Sequence, residues 1–504
     1  MQYDADILIV GGGINGAGIA RDAAGRGLSV VLCEQHDLAA HTSSASTKLI
    51  HGGLRYLEQY EFRLVAKALA ERSVLLRLAP HIIWPLHFVL PHESHLRPVW
   101  MIRLGLLLYD KLGSSHRSLA DSRSLDLTKH VAGAPLREGF AHGFMYSDAW
   151  VQDARLVVIN AMDAAQRGAD IRVRTRCVSA RRNSDHWQVE LMDARGDKSS
   201  LHVRALVNAT GPWAASFLDD IAAIHDHPRL RLVKGSHIVV PALFKHEYAY
   251  IFQQPDRRIV FAIPYESAYT LIGTTDVDYQ GDPADVHIAT DEIDYLCAAA
   301  NRYFRREIKP ADVVWSYSGV RPLVDDGSGD ASAVSRDYRL ELDNATSAPL
   351  LNVFGGKITT HRRLSEEAVD QLCIALKREL PAWTQDGDPL PGGDFADAER
   401  LIALWAERWP WLPVALAHRW LRHFGTCTEH LLEGVQKLED LGQHFGAGLY
   451  RAEVDYLIDH EWARCAEDVV WRRTKLGLRL TPDALQRLDV YIAARLKSFG
   501  VAAA

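Results

Sequence analysis

The sequence predicts an α/β fold: a Rossmann-type domain interleaved with a second, β-rich domain, followed by an all-α C-terminal domain. Three observations predict it. The first 35 residues read strand, glycine turn, helix, strand. Short β-rich stretches recur between residues 171 and 272, mixed with helical segments. A run rich in Gly, Pro and Asp, TQDGDPLPGGD at 384–394, then separates these from a helical tail.

Taken in order, residues 7–10 are an apolar strand, a small-residue helix starts near Asn15, and residues 29–32 make the next strand, which together form a βαβ unit. Later strands are expected at 171–177, 187–191, 205–208, 258–263 and 269–272, and these suggest an antiparallel-rich second domain. Beyond 394, Val454, Leu457, Ile458, Trp462, Cys465, Val469 and Val470 fall near one helical face. Residues 1–383 are thus assigned to the nucleotide-binding domain (about 1–80, 150–215 and 315–383) with the β-rich substrate domain (about 81–149 and 216–314) interleaved. Residues 384–394 form the linker and 395–504 the helical cap.

Composition narrows the function classes. A chain of 504 residues, 48% hydrophobic and 24% charged, has the apolar material for several domains and lacks the polar bias of disorder. Fifty-seven Lys and Arg against 64 Asp and Glu leave a net charge of -7, which offers no overall attraction for nucleic acid. The six cysteines are scattered, with no CxxC pair, so disulfide-reductase, iron-sulfur and zinc-finger chemistry lose their main support. The amino terminus carries acids and glycines where a secretory signal would carry basic and apolar residues, and no uninterrupted apolar run is long enough to span a bilayer. A cytoplasmic protein with at most peripheral membrane contact is expected.

The strongest motif is Gly11, Gly13 and Gly16 directly after the first strand, with Glu34 at the end of the second. Gly11 permits the tight turn, Gly13 lets the backbone approach a pyrophosphate, Gly16 allows close helix packing, and an acid at the position of Glu34 can bond a ribose. Alone the glycines could be an empty turn; strand, helix and acid together favour a dinucleotide, NAD or FAD. The later strand-turn Ala209-Thr210-Gly211 resembles an element of flavoprotein oxidoreductases and favours FAD, with Thr210 and Gly211 beside it. A separate NAD(P)H site has no candidate, because Gly327-Ser328-Gly329 and Gly446-Ala447-Gly448 lack the third glycine.

The block at 10–27, VGGGINGAGIARDAAGRG, resembles the signature of FAD-dependent glycerol-3-phosphate dehydrogenases. So, in order, do TSSASTKLIHGGLRYL (42–57), KGSHIVV (234–240), IGTTD (272–276), YSGVRPL (317–323), FGGK (354–357) and RRTKLG (472–477), and the likeness is strongest to the bacterial aerobic, quinone-linked type. One departure stands in the second signature: His361 and Ser365 replace the usual Tyr and Ala around Arg362.

The resemblance implies oxidation of sn-glycerol 3-phosphate to dihydroxyacetone phosphate by hydride transfer to FAD. It implies that Arg55, Tyr56, Arg336 and Lys357 bind substrate and that His237 and Arg321 serve catalysis, with either able to promote removal of the hydroxyl proton. His237 suits a base because imidazole, with a reference pKa of about 6.5, can be neutral at cytoplasmic pH. Ser46, Lys48, His51, Gly52, Gly53, Gly356 and Thr359 are expected around the flavin, and Thr274, Thr275 and Asp276 are secondary candidates. Electrons would pass to a membrane quinone, with oxygen the alternative acceptor. Residues 97–112, RPVWMIRLGLLLYDKL, read either as an interfacial helix or as a core helix. Peripheral binding at the inner face of the cell membrane is expected, and a homodimer is compatible with the sequence.

Overall fold

The computed structural model describes residues 3–93, 97–112, 119–256, 258–325, 337–345 and 347–498. Apolar runs without alternation build the middle of the first sheet, as strands covered on both faces require. Its order is Arg339–Asp343, Leu350–Phe354, Lys198–Asn208, Ala5–Val10, Val30–Cys33 and Asp170–Arg172, and all but the first of these run parallel. Ile7, Leu8 and Ile9 are fully buried, each such side chain contributing about 1.5–3 kcal/mol of burial free energy. The helix Ile14–Gly25 exposes almost none of Ala17, Ala20, Ala23 and Ala24, and this small-residue surface packs on Asp153–Gln166 and His361–Ala375.

One strand expected from the sequence is divided in two. Residues 171–177 break at Arg174, which takes a left-handed conformation (φ 53°), so Asp170–Arg172 edges the parallel sheet while Arg176–Arg182 starts a meander. That meander runs through Trp187–Met192 into Lys198–Asn208, so its antiparallel strands extend the first sheet.

The second sheet has ten strands, antiparallel except where Ala249–Gln253 meets Ile83–Pro91. The helix Thr290–Asn301 and an aromatic cluster around Phe252, Tyr303 and Phe304 cover one face. Trp315–Val324 pairs along its whole length with Leu230–Pro241 and is therefore part of this sheet, which moves the expected boundary at 315 past residue 324. Leu49–Ile50 also joins it, through His142–Val151, so the chain enters the second sheet before residue 81. Register is set by burial: Leu230–Pro241 is buried almost throughout from Val233 to Val240.

The C-terminal part is helical, with one two-stranded ribbon, His444–Gly446 with Leu449–Tyr450. The apolar face expected from 454 to 470 is not one helix. Trp462 adopts φ 57° and stops Arg451–Glu461, and a wide turn, Asp468–Arg473, follows. Residues 384–394 connect the parts as a packed strap, not a loose linker: Thr384 donates to Asp22 (3.1 Å), the Leu390 amide donates to the Leu78 carbonyl (2.8 Å), and a Cβ at Gly392 would meet the Phe424 carbonyl oxygen at 2.2 Å. One continuous apolar core runs from the first sheet's helices into these helices.

Candidate active site

A cleft of about 230 Å³ opens at the carboxyl ends of the first sheet's parallel strands, where doubly wound folds place their ligands. Gly11 turns the chain out of the first strand at φ 113°, and a Cβ there would meet the Ala209 carbonyl oxygen at 2.5 Å. At Gly16 a Cβ would lie 1.9 Å from the Gly11 carbonyl oxygen, so the helix can pack here only with glycine. The helix starts at Gly13 without a side-chain cap from its own N-cap; Ser43 instead accepts from the Ile14 amide at 3.0 Å. The half-buried Glu34 carboxylate accepts from the Gly12 amide (2.7 Å) and the His36 amide (2.8 Å); desolvation pushes its pKa up, against these two bonds.

These features fit a dinucleotide. Gly11, Gly13, Glu34, Thr210, Gly211 and Gly356 all line the cleft, as do Thr42, Ser43, Asn15 and Trp213, which the sequence reading passed over. Asn15 donates to the Gly355 carbonyl at 3.1 Å, while its Oδ1 is buried without a protein partner, an acceptor suited to a ligand's donor. The signal that could have found Asn15 is its place in the first turn after the glycines.

Other expected cofactor residues stand elsewhere. Lys48 is fully buried and its Nζ bonds both oxygens of Asp153 at 2.8 and 2.9 Å, while Ser46 Oγ donates to the same carboxylate at 2.8 Å. Neither lines the cleft, and the reason is electrostatic: an ammonium taken out of water needs a buried counter-charge, and Asp153, 105 residues away, provides it. Gly52 makes room for Leu69 and Tyr109, and Gly53 (φ 76°) for the Tyr56 ring. The His51 amide donates to Thr359 Oγ1 at 3.3 Å, tying this segment to the turn after Leu350–Phe354.

Beside the cleft the two sheets bring the expected reactive groups into two clusters. His237 is buried on Leu230–Pro241, its Nε2 3.0 Å from Thr47 Oγ1 and its ring stacked on Tyr317 at 4.8 Å. Burial, then the charges of Lys48 and Arg321, hold its pKa well below the ordinary imidazole value, so the ring is neutral at neutral pH. Its Nδ1 is buried with no partner. Arg321 reaches across Gly235, where a Cβ would meet its guanidinium at 2.9 Å, to pair with Asp276 and donate to the Thr275 carbonyl (3.2 Å). Thr275 in turn donates to Glu292 (2.6 Å), which is paired with Lys234, so the secondary candidates hold Arg321 in place.

In the second cluster the Lys357 ammonium sits 4.1 Å from the Tyr56 ring centroid. Pro322 and Gly356, the chain neighbours of Arg321 and Lys357, both line the cleft. Arg336 lies outside the described residues, and so does the side chain of Arg55, whose backbone belongs to the turn Leu54–Gln59. The departures His361 and Ser365 pack behind the cleft, against Gly18: Ser365 donates to the His361 carbonyl (2.8 Å), and His361, pushed down to about 4 mainly by burial, stays neutral.

Residues 6–362 match the family described as FAD dependent oxidoreductase, and residues 384–500 match the C-terminal domain of alpha-glycerophosphate oxidase. The chain is 55% identical to a glycerol-3-phosphate dehydrogenase of Pseudomonas aeruginosa, over 97% of this chain and 94% of that one. It is 51% identical to a D-erythritol 1-phosphate dehydrogenase of Brucella abortus, over 94% and 95% of the two chains. Its fold superposes on the X-ray structure of a glycerol-3-phosphate dehydrogenase from Bacillus halodurans complexed with FAD, with a TM-score of 0.74 and 26% identity, covering 98% of this chain and 88% of that one. The glycine turn, the Glu34 wall and the matched domains agree, and the chain belongs to the family of FAD-dependent oxidoreductases, with FAD as its cofactor.

Proposed function

We propose that the protein is an sn-glycerol-3-phosphate dehydrogenase that delivers its electrons to a membrane quinone. The observation that carries the reading is Arg321, held by Asp276, acting on a neutral, buried His237 in a chain 55% identical to a glycerol-3-phosphate dehydrogenase. Bound FAD supplies the hydride acceptor. This chain's residues then have three tasks. Lys357, with Arg55 and Arg336 by resemblance, binds the phosphate dianion, each charge-assisted bond being worth roughly 1.5–3 kcal/mol. Arg321, fixed by Asp276, stabilises the negative charge that develops on the C2 oxygen as its proton leaves. His237, neutral and held by Thr47, accepts that proton.

The membrane part of the reading rests on the helix Val99–Leu112. No helix among the described residues is long and apolar enough to cross a membrane. This one buries Leu106 and Tyr109 but exposes Trp100 (65%), Leu104 (53%), Leu107 (45%) and Leu108 (38%), and Tyr60 and Phe62 add to the exposed apolar surface. Such a face suits the headgroup boundary of a bilayer, where a quinone is reached.

The test is anaerobic addition of polyol phosphates to the holoprotein while oxidised flavin absorbance is followed. Glycerol 3-phosphate should bleach it and glycerol should not. Equal bleaching by glycerol would remove the phosphate clamp, and faster bleaching by D-erythritol 1-phosphate would reassign the substrate. Rapid peroxide formation in air with no quinone reduction would make the protein an oxidase.

A further inference from the structure

Two walls of the FAD cleft are held from the C-terminal domain. One wall, carrying Gln35 and residues 39–43, contains Asp37, whose carboxylate is buried and faces away from the cleft. Arg473 donates to it through Nη1 (2.5 Å) and Nη2 (2.9 Å), and Arg472 through Nε (2.6 Å). The other wall, residues 175–177, is preceded by the left-handed Arg174, whose guanidinium donates to both oxygens of Asp468 at 2.9 and 3.1 Å. The walls are also bonded to each other: the Arg174 amide donates to the His36 carbonyl (2.8 Å) and the Thr175 amide to the Glu34 carbonyl (2.7 Å). Arg472 closes the circuit by pairing with Asp468. Asp468, Arg472 and Arg473 all come from one wide turn, Asp468–Arg473, and none of them lines the cleft.

We propose that Asp468, Arg472 and Arg473 are positioning residues for cofactor retention, acting through Asp37 and Arg174 to hold the Glu34 end of the cleft closed around FAD. The inference rests on FAD as the cofactor and is independent of the substrate. A buried carboxylate and a strained, half-buried arginine cannot keep these positions once their counter-charges leave, because each would stand in low dielectric without compensation. The walls that carry Glu34, Thr175 and their cleft-lining neighbours would then open.

The experiment measures FAD release from diluted holoprotein, in the absence of substrate, as the recovery of free-flavin fluorescence. The variants are Asp37→Asn, Arg473→Lys and the milder Arg472→Lys. The control is Glu453→Gln, which breaks a pair with Arg419 lying wholly within the C-terminal domain. Each clamp variant should release FAD roughly tenfold faster than the unmodified protein, while the control, even with an equal loss in Tm, releases it at the unmodified rate. Clamp variants that lose Tm but keep the control's release rate would make the cluster a structural tie only and overturn the proposal. If Asp37→Asn or Arg473→Lys does not fold, hydrogen exchange of Arg472→Lys decides: amides of residues 35–43 and 173–177 should exchange faster, and unchanged protection there would sink the proposal.

Discussion

Lys48 and Lys357 carry the same charge inside two of the motif blocks and stand in different surroundings. Lys48 is fully buried against Asp153, so removing the carboxylate leaves an uncompensated ammonium. Asp153→Ala should therefore destabilise the fold by about 3–5 kcal/mol, read as a fall in denaturation midpoint. Lys357 faces the Tyr56 ring, beside the cleft-lining Gly356. Lys357→Ala should leave the midpoint near that of the parent and weaken substrate binding by about 1.5–3 kcal/mol, a KM increase of roughly tenfold to a hundredfold. For His237 the sign follows from its lowered pKa: the neutral, proton-accepting form is already complete at neutral pH and is lost only on acidification. His237→Ala should slow flavin reduction at saturating substrate throughout about pH 6 to 9, and a parent-like rate across that range would move the role of base to another residue. The blocks at 234–240 and 354–357 single out His237 and Lys357 by resemblance; Lys48's partner was not legible, because a lysine in a serine-rich loop reads the same beside a phosphate or beside an aspartate.

At the scale of elements, the helix Val99–Leu112 shows what periodicity leaves open. Its apolar residues outnumber what one face can bury, which suits either a core helix or an interfacial one. Packing buries Leu106 and Tyr109, the latter by bonding Asp148 at 2.8 Å, and leaves the Trp100, Leu104 and Leu107 side outward. Arg103 donates to the Ser122 carbonyl at 2.9 Å and braces the helix. Replacing Leu107 and Leu108 with Asp should release the protein from vesicles of anionic and zwitterionic lipid and cut quinone reduction, with activity toward a soluble acceptor retained. A folded double variant that still binds vesicles would shift the membrane surface elsewhere. The same limit explains Trp315–Val324, which joins the second sheet because Leu230–Pro241 lies alongside it.

Across the whole molecule the C-terminal domain is joined to the nucleotide-binding domain by a shared core and by buried charge. Burial works to raise the pKa of Asp468, but Arg472, Arg473 and Arg174 overcome it and hold the carboxyl at about 2 against an ordinary 3.8. A depressed carboxylate contributes its stability fully above the ordinary value and loses it as pH falls through the folded one. The cluster should thus weaken between about pH 4 and pH 2, and acid titration followed by tryptophan fluorescence should show Asp468→Asn, already lacking that charge, losing less stability over the same window than the parent.

What the sequence by itself determined is local: the strand-turn-helix with Gly11, Gly13 and Gly16, the acid Glu34 that follows the second strand, a minority of the strands and the helical tail. Turn sterics and apolar period act over a few residues, so they can be read without knowing the path of the chain. Tertiary structure alone decided which charges meet. Arg473 and Asp37 stand 436 residues apart, Arg174 and Asp468 294, and Lys48 and Asp153 105. Each of these charges alone reads as a solvated surface group, and only the folded path, which removes water from both members at once, turns them into the pairs that brace the cleft.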